Sequence, residues 1–370
     1  MSFVSASCSS WYVFVDMATN GYLMNSDETV LVTGAAGFIG TRVVACLLER
    51  GFTNVRCLAR GKGGLGKLER LAGSLRDGRQ LEVVEGNLLS QEDCLKVADG
   101  ARVIYHLAAG TGEKSYPDAF MNSVVTTRNL LEAVARHRCL KRFVNMSSFS
   151  VYSNRGKTHG RLLDETCPVE DRPELRGEAY HYAKVKQDEI VIDLGRKHDI
   201  PYVLLRAGVV YGPGKASITG RVGTGTFGMF LHLGGPNKVP FTYVENCAEA
   251  IVLAGLTPGV DGEIFNIVDD DLPSSREFLR LYKRNVKPLK SIYLPHFASF
   301  SCCYLWEKYS RWSDGQLPPA FNCRMWHAYW KGSTYTNEKL KQRLGWKQKV
   351  PTSEGLRCYF EGCRQKGSDA

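Results

Sequence analysis

Long hydrophobic runs are missing from this chain of 370 residues, because no stretch reaches the roughly 18 consecutive apolar residues that a membrane-spanning helix needs. Basic helices with interleaved aromatic residues are missing as well. The net charge of +10 is spread over scattered lysines and arginines, which predicts a solvated surface that attracts anionic small molecules, and no nucleic-acid partner. None of the twelve cysteines forms a C-x-x-C pair or keeps metal-ligand spacing with a histidine, so no metal site is expected.

The N-terminus also lacks the basic start of a secretory signal. Residues 1–27 match nothing downstream, so we treat them as an extension of unspecified structure, with Met17 or Met24 as an alternative start. Three cysteines fall on apolar faces of predicted elements, where a reduced thiol behaves as a small hydrophobic group: Cys46, Cys57 and Cys247. These features predict a protein of a reducing compartment, the cytoplasm.

What is present begins with a strand, a glycine turn and a helix. Thr29 to Val32 is a short apolar run typical of a buried strand, and an amphipathic run from Phe38 to Leu48 follows it. Between them stand Gly34, Gly37 and Gly40. Glycine is needed where a turn takes unusual dihedral angles and where backbone approaches a pyrophosphate, which the N–H groups of the following helix then hold. The pattern predicts a dinucleotide site.

The end of the second strand bears on the choice of dinucleotide. Asn54 to Ala59 is typical of that strand, and after Arg60 the segment Gly61 to Lys67 is expected to be a flexible basic loop. No Asp or Glu lies between Phe52 and Lys67 to bind the ribose hydroxyls of NAD. Arg60 instead offers a cation for the 2′-phosphate of NADP, with Lys62 assisting. We therefore favour NADP over NAD; the alternative is that Arg60 is a solvated loop residue.

Further apolar runs alternate with helical segments. Three of them are typical of buried strands: Leu81 to Val84, Val103 to Leu107, and Arg142 to Met146. With the helical spacing of Ala119 to His137, they predict a parallel sheet with helices on both faces. Ligands bind beyond the carboxyl ends of such strands, where Ser147 and Ser148 lie. His106, inside a strand, is expected to be a core histidine.

A helix that opens near Glu178 carries two tyrosines, each followed four residues later by a lysine. The pairs are Tyr180 with Lys184 and Tyr182 with Lys186, and each pair lies on one helical face. A phenol is a poor base near neutral pH, and a nearby ammonium group favours its ionised form. A serine hydroxyl opposite the tyrosine would complete a site that polarises a carbonyl while the phenol moves the proton. Spacing alone leaves both pairs open.

Together these stretches resemble the extended short-chain dehydrogenase/reductase family, of the epimerase and 3β-hydroxysteroid dehydrogenase type. The matching segments are Thr33 to Gly40 (T-G-x-x-G-x-x-G), His106 to Ala109 (H-L-A-A) and Ser147 to Tyr152 (S-S-x-x-V-Y). Tyr180 to Lys184 is similar to Y-x-x-S-K, with Asp188 at the following acidic position, so the resemblance selects this pair. Later segments resemble the family as well: Leu205 to Gly214, Phe241 to Ala250, Gly262 to Ile267 and Lys339 to Leu356.

The resemblance implies an α/β fold, a Rossmann-type doubly wound parallel sheet with a smaller C-terminal substrate-binding lobe. The expected division is an NAD(P)-binding domain at 28–210, a mainly substrate-binding lobe at 211–363 with segments returning to the sheet, and a tail at 364–370. The implied catalytic residues are Ser148, Tyr180 and Lys184. The expected cofactor contacts are Gly34, Gly37, Phe38, Ile39, Gly40, Arg60, Asn87, Leu88, Leu107, Ala108, Ala109 and Lys184.

Some departures from the family pattern bear on function. Asn87 stands where the family has Asp near the adenine, and its carbonyl retains the ability to hydrogen-bond an amino group. The helix asparagine of the family falls at Ser123, with Asn122 one place earlier, so that role stays unassigned. Nucleotide-sugar dehydratases of the family carry a Thr-Asp-Glu set where this chain has Ser148-Phe149-Ser150, which disfavours water elimination.

The leading hypothesis is hydride transfer between NADP(H) or NAD(H) and a secondary alcohol or ketone of a sugar-nucleotide, sterol-like or secondary-metabolite substrate. The alternative is a nucleotide-sugar epimerase that retains its cofactor. A catalytically inactive dinucleotide-binding subunit is less favoured, because Ser148, Tyr180 and Lys184 are all present.

Aromatic residues concentrate near the C-terminus: Tyr293, Phe297, Phe300, Tyr304, Trp306, Trp312, Trp326 and Trp330. They favour an apolar substrate, or they pack the core between lobe and sheet. Ile292 to Leu305 is interpreted as a pocket wall or core helix in preference to a membrane-interface segment. The expected partner is a small-molecule substrate; a homodimer and a membrane surface stay open, the membrane being the less favoured.

Overall fold

The structure is a computed structural model that describes residues 21–73, 80–110, 112, 115–153, 155, 160–215, 217–226, 228–313 and 321–368. Its centre is a seven-stranded parallel sheet of β1 (Val30–Thr33), β2 (Asn54–Ala59), β3 (Gln80–Glu85), β4 (Val103–His106), β5 (Arg142–Ser148), β7 (Tyr202–Ala207) and β12 (Ile264–Ile267). The strand order is β12-β7-β5-β4-β1-β2-β3. From β1 the chain adds β2 and β3 on one side and then β4, β5, β7 and β12 on the other side. This order is that of a Rossmann-type doubly wound sheet, which confirms the predicted fold class.

Helices lie on both faces of this sheet and in the smaller part of the structure outside it. They are α1 (Gly40–Glu49), α2 (Lys62–Gly73), α3 (Gln91–Ala98), α4 (Tyr116–Phe120), α5 (Thr126–His137), α6 (Ala179–Lys197), α7 (Val244–Leu256), α8 (Ser275–Asn285), α9 (His296–Trp312), α10 (Cys323–Tyr329), α11 (Glu338–Leu344) and α12 (Thr352–Ser368). One apolar core lies between the sheet and α1, α7 and α11, and a second lies between the sheet and α3, α5 and α6. A π-helical turn, Met121–Val125, joins α4 to α5.

Short sheets and the later helices build the remainder. Their strands are β6 (Leu162–Leu163), β8 (Val209–Tyr211), β9 (Gly223–Thr226), β10 (Met229–His232), β11 (Phe241–Tyr243), β13 (Ser291–Tyr293) and β14 (Thr334–Tyr335). Aromatic residues of β8, β11, α8 and α12 form a separate core cluster. The predicted domain limits remain a prediction, although β12 and α7 do return to the main sheet from beyond residue 211.

One prediction of local structure is wrong. Gly61 to Lys67 is not a loop, because α2 begins at Lys62 and buries Leu68 against the sheet; this packing outweighs the poor helix propensity of glycine.

The end of the N-terminal extension, residues 21–27, meets the body of the protein. Met24 is buried, and the Leu23 N–H donates to the Leu256 carbonyl at 2.7 Å. Residues 1–20 of the predicted extension lie outside the described residues.

The predicted burial of three cysteine side chains is confirmed: Cys46, Cys57 and Cys247 all lie in the core. In the part of the chain that the structure describes, no helix is both long and apolar enough to cross a membrane.

Candidate active site

The glycine turn after β1 is shaped by backbone packing. Gly34 has φ +69°, and a Cβ added there would lie 2.8 Å from the Ala108 nitrogen. A Cβ on Gly40 would lie 2.1 Å from the Gly34 carbonyl oxygen, so only glycine lets α1 start this close to the turn. Gly37 is exposed. With no acidic residue in its first turn, the N-terminus of α1 fits an anionic pyrophosphate.

Two cations lie over Phe38, at the start of the same helix. The Arg42 guanidinium lies 5.2 Å and the Lys215 Nζ 5.7 Å from the centre of its ring. Arg42 also donates to the Pro213 carbonyl at 3.2 Å, which joins the turn to the loop after β8. Ile39, the residue before α1, is half-buried. The turn is therefore flanked by positive charge that sequence reasoning did not assign.

Arg60 lies at the end of β2 and is exposed. Its guanidinium donates to the Asn122 side-chain oxygen at 3.2 Å. The neighbouring Ser123, in the π-helical turn, is buried and accepts a hydrogen bond from the Gly110 N–H at 3.0 Å. On the neighbouring strand β3, Glu85 pairs in register with Ala59, the residue before Arg60. Arg60 is thus placed beside the glycine turn, at the end of the strand next to β1.

The loop after β3 is held by side chains. Asn87 donates its N–H to Asp93 at 2.7 Å, and its side-chain oxygen accepts from the Leu89 N–H at 3.1 Å. The carbonyl of buried Leu88 accepts from Asn129 at 3.0 Å. The Asn87 oxygen therefore already has one partner within its own loop.

The segment Leu107 to Ala109 follows β4 and is half-buried. Its first N–H donates to the Thr33 carbonyl at 3.2 Å, directly before the glycine turn. The predicted cofactor segments after β1 and β4 are therefore neighbours in space.

Ser148 and Tyr180 meet in one pocket of about 270 Å³. Burial raises the pKa of Tyr180, and a hydrogen bond with Ser148 opposes that rise. Ser148 Oγ also accepts from the Ser150 N–H at 3.1 Å, which orients the hydroxyl at the end of β5. The remaining lining residues are Phe149, Ser150, Glu178, Gly208, Val209, Thr219, Gly220, Arg221 and Tyr329.

Lys184 lies one helical turn after Tyr180, but its hydrogen bonds go elsewhere. Its Nζ donates to the Met146 carbonyl at 2.6 Å and to the Gln187 side-chain oxygen at 2.8 Å. Burial lowers the pKa of Lys184 to about 8, and the charge of Asp188 opposes this. The structure brings Ser148 and Tyr180 together, and it holds the lysine against β5 two residues before Ser148.

A buried chain of hydrogen bonds connects that lysine to the glycine turn. Gln187 donates to Thr127 Oγ1 at 2.8 Å, and His106 Nε2 lies 2.8 Å from the same oxygen. His106 Nδ1 lies 2.8 Å from Thr33 Oγ1. Thr33 is the last residue of β1, so the chain crosses the sheet from the cofactor turn to α6.

The tautomer of His106 follows from this chain. Thr127 donates its hydroxyl proton to the Ser123 carbonyl at 2.6 Å, so it accepts the Nε2 proton of His106. Nδ1 then accepts from the Thr33 hydroxyl. Burial, reinforced by the charge of Lys184, lowers the pKa of His106 to about 3. His106 is a neutral, fully bonded core histidine, as predicted.

Asp188 takes part in a buried ion pair. Its carboxylate lies 3.2 Å from the Arg206 guanidinium, which stacks 4.7 Å from the centre of the Tyr152 ring. Tyr152 in turn donates to Asn266 of β12 at 2.7 Å. The acid that follows the Tyr–Lys pair therefore ties α6 to β7 and β12.

One wall of the pocket was not predicted from the sequence. Two guanidinium groups lie over the Tyr329 ring, that of Arg176 at 4.7 Å and that of Arg221 at 5.0 Å from its centre. Its hydroxyl donates to Glu178 at 2.8 Å, and Glu178 pairs with Arg176 at 2.8 Å. Tyr329 and Arg221 come from segments far from the Tyr–Lys motif, and no local pattern marks them. For Gln187 a signal existed, since it follows Lys184 by three residues on the same helix.

The aromatic residues singled out near the C-terminus lie elsewhere. Trp326 and Trp330 are buried in a cluster of the lobe, whereas Tyr293, Phe297, Tyr304 and Trp312 are exposed. None of the predicted eight lines the pocket. Among the described residues, no group of three or more His, Cys, Asp or Glu side chains is arranged to hold a metal ion.

Sheet order, glycine turn and the Ser148–Tyr180 pocket together define an enzyme of the extended short-chain dehydrogenase/reductase class. Residues 30–268 match the NAD dependent epimerase/dehydratase family, and the chain belongs to that family. The resemblance drawn from the sequence motifs is confirmed.

Known proteins similar to this chain act on different substrates. A trifunctional UDP-glucose 4,6-dehydratase/UDP-4-keto-6-deoxy-D-glucose 3,5-epimerase/UDP-4-keto-L-rhamnose-reductase of Arabidopsis thaliana is 27% identical over 261 residues, which is 65% of this chain and 36% of that protein. A 3β-hydroxysteroid-dehydrogenase/decarboxylase of Arabidopsis thaliana is 25% identical over 90% of this chain and 79% of its own length. The solved UDP-glucuronic acid 4-epimerase of Bacillus cereus, in complex with UDP-glucuronic acid and NAD, has a TM-score of 0.68 at 22% identity, covering 91% of this chain and 99% of that one.

Proposed function

We propose that the protein is an NAD(P)-dependent oxidoreductase that transfers a hydride to or from a secondary alcohol or ketone, with Ser148, Tyr180 and Lys184 as its catalytic residues. The observation that carries this proposal is the pocket at the carboxyl ends of β5 and β7, which both Ser148 and Tyr180 line. A substrate oxygen placed there would meet two hydroxyl groups at once.

The pKa of the Tyr180 phenol defines its part in the reaction. Because burial raises that pKa, the phenol is neutral near pH 7 and is the proton donor when a ketone is reduced. Ser148 binds the same oxygen and stabilises its developing negative charge. Lys184 supplies positive charge beneath the site, held by Met146 and Gln187. NAD(P) bound along the glycine turn supplies or takes up the hydride.

The proposed cofactor contacts start at the glycine turn, where Gly34, Gly37 and Gly40 allow close packing of the backbone beside Phe38 and Ile39. The other proposed contacts are Arg60, Asn87, Leu88, Leu107, Ala108, Ala109 and Lys184. We further propose that NADP is preferred over NAD, because an exposed arginine stands at the end of β2 where an NAD enzyme has an acid.

Replacing Arg60 by alanine is expected to weaken NADP binding by about tenfold or more while changing NAD binding little, because only the 2′-phosphate loses a charge-assisted hydrogen bond. Titration of each dinucleotide against the purified protein measures both affinities. Arg70→Ala, an exposed arginine of α2, is the matched control. Equal losses for NADP and NAD in Arg60→Ala would remove Arg60 from this role.

The substrate is a sugar-nucleotide, sterol-like or secondary-metabolite group. Arg221, Glu178 and the Tyr329 hydroxyl give the pocket a polar wall, and this favours a hydroxyl-rich substrate. That observation also supports the alternative function, a nucleotide-sugar epimerase in which the hydride returns to the other face of the same carbon. A dehydratase is not supported, since Phe149 and Ser150 stand where such enzymes carry their acid pair.

One experiment tests the proposal and separates the alternatives. The purified protein is denatured and its supernatant assayed for released NAD(P), and the native protein is assayed with nucleotide sugars and hydroxysteroids, with and without added dinucleotide. Turnover that requires added NAD(P) supports the oxidoreductase. Turnover without it, together with a bound dinucleotide, identifies the epimerase. Dinucleotide binding without turnover of any member of the panel would indicate the inactive subunit.

We propose the cytoplasm as the site of this activity. In the part of the chain that the structure describes, all eleven cysteines are free, and most of them are buried.

A further inference from the structure

Helix α9 buries small side chains and exposes several large apolar ones. The residues that it buries are Ser299, Cys303 and Ser310. Three of its large apolar residues face the other way, since 77% of Phe297, 64% of Leu305 and 78% of Trp312 are exposed, whereas Phe300 packs inward. A helix on the surface of a globular protein normally shows the opposite arrangement. The interpretation of Ile292 to Leu305 as a pocket wall or core helix is therefore wrong for these side chains.

The exposed residues form one continuous face. Phe297, Leu305 and Trp312 follow one another at helical spacing, and the half-exposed Tyr304 and Tyr309 lie between them. Strand β13, which leads into α9, also exposes Ile292 by 50% and Tyr293 by 38%, but consecutive strand residues point to opposite faces, so the two are not counted as part of this surface. We call the five residues Phe297, Tyr304, Leu305, Tyr309 and Trp312 the α9 face. Scattered exposed apolar side chains are common, but a contiguous set of this size indicates a binding surface.

The stretch of sequence that contains the α9 face is rich in basic residues. Residues 275–313 contain eight Lys or Arg and two Glu, so this segment carries a net charge of +6 out of +10 for the whole chain. Lys308 lies within the face, with its Nζ 5.2 Å from the centre of the Tyr304 ring. Arg276 of α8 lies 5.3 Å from the centre of the Tyr293 ring. One of the two acids, Glu307, is paired with Arg311.

We propose that the α9 face docks on the surface of an anionic lipid bilayer. Aromatic and aliphatic side chains on one side of a helix, with lysine and arginine around them, are the combination that binds in the plane of a membrane interface. Tryptophan and tyrosine suit the headgroup boundary, and Lys308 can keep its charge in the headgroups while its stem lies along the apolar face.

A second copy of this chain fits the face less well. A two-fold symmetric dimer through α9 would place the same surface on both sides of the interface. Each copy carries a net charge of +10, with Lys308 inside the face itself, and like charges repel. An anionic bilayer supplies the complementary charge.

The docked face lies one helix away from the pocket. On its inner side α9 holds α10, because Trp326 donates to Ser299 at 3.0 Å and its ring contacts Phe300 at 4.9 Å between centres. Helix α10 ends at Tyr329, which lines the pocket. Docking would thus bring the pocket wall close to the bilayer. The docking proposal does not depend on the assignment of the catalytic residues.

Co-sedimentation of the full chain with vesicles tests this surface. With vesicles of phosphatidylcholine containing about 30% phosphatidylserine, at about 0.1 M salt, the protein is expected to bind, and binding falls as salt is raised. With phosphatidylcholine alone the partition coefficient is expected to be lower by a factor of about ten or more. Binding to neither vesicle, or equal binding to both, would overturn the proposal.

Variants separate the α9 face from general stickiness. The double substitution Phe297→Ser with Trp312→Ser should lower partition into anionic vesicles by about tenfold or more, since both side chains lose their burial in the interface. Leu162→Ser, at a 45% exposed leucine of β6, is the apolar control and should change nothing. Thermal unfolding of each variant confirms that the fold is retained.

Two double substitutions test the contribution of positive charge. Lys308→Glu with Arg311→Glu should weaken binding to anionic vesicles, whereas Arg196→Glu with Lys197→Glu, at the exposed end of α6, should have little effect.

Sedimentation velocity tests whether a second copy of this chain occupies the face instead. A dimer that dissociates in the Phe297/Trp312 variant, with no binding to anionic vesicles, would show that the face meets a second copy and would overturn the lipid assignment.

Discussion

Replacing Tyr180 by phenylalanine is expected to lower kcat by about 10²- to 10⁴-fold, because the substrate oxygen loses the group that donates or accepts its proton. The ring remains in place beside Ser148, so the pocket keeps its shape. Dinucleotide affinity should be nearly unchanged, since the phenol acts on the substrate. Steady-state kinetics on the substrate identified from the panel, with titration of NAD(P), measure both quantities.

The neighbouring tyrosine provides the matched control. Tyr182→Phe removes the same hydroxyl two residues later, where the ring packs against Tyr116 at 5.2 Å and Phe120 at 6.4 Å between centres. Its lysine partner in the competing pair, Lys186, forms an ion pair with Glu189 at the surface. Turnover should therefore survive Tyr182→Phe. A loss of turnover in Tyr182→Phe with none in Tyr180→Phe would move the catalytic pair to the other frame.

Replacing Gly40 by alanine is expected to weaken NAD(P) binding by about 100-fold and to destabilise the fold by about 1–3 kcal/mol. The added Cβ would stand 2.1 Å from the Gly34 oxygen and 2.8 Å from the Ala35 Cα. Both are backbone atoms, so the clash is relieved only if the turn and the start of α1 move apart. Dinucleotide titration and denaturant unfolding measure the two losses.

Gly63→Ala is the control for this substitution. No atom lies within 4 Å of a Cβ added at Gly63, which is in helix α2. Alanine there should stabilise the helix by up to about 1 kcal/mol and leave the dinucleotide turn intact. Wild-type affinity for NAD(P) in Gly40→Ala would show that the turn does not hold the cofactor.

The main sheet could be predicted from the sequence because its strands are buried on both faces. Such strands are nearly continuous apolar runs, and β1, β2 and β5 were placed within two residues of their observed ends. The glycine-rich segment after Arg60 could not be predicted in the same way. Local composition indicates a loop there, and only contact of Leu68 with the sheet makes it a helix.

The position of the aromatic residues near the C-terminus could not be predicted from composition. Phe297 and Trp312 were expected to line a pocket or fill a core, but composition does not say which side of a helix meets the protein. In α9 that side is occupied by Ser299 and Cys303, which pack on α10. The tertiary structure turned a core-like segment into an exposed surface.

The sequence by itself determined the buried strands around the glycine turn, the turn itself, and the two candidate Tyr–Lys pairs of one helix, because each of these depends on spacing within a short stretch. Only the tertiary structure decided what surrounds them. Thr127 joins Gln187 of α6 to His106 of β4, and Tyr329 reaches the pocket from a distant helix, since such contacts depend on how separate elements pack. Local pattern encodes the elements; packing decides which side chains meet.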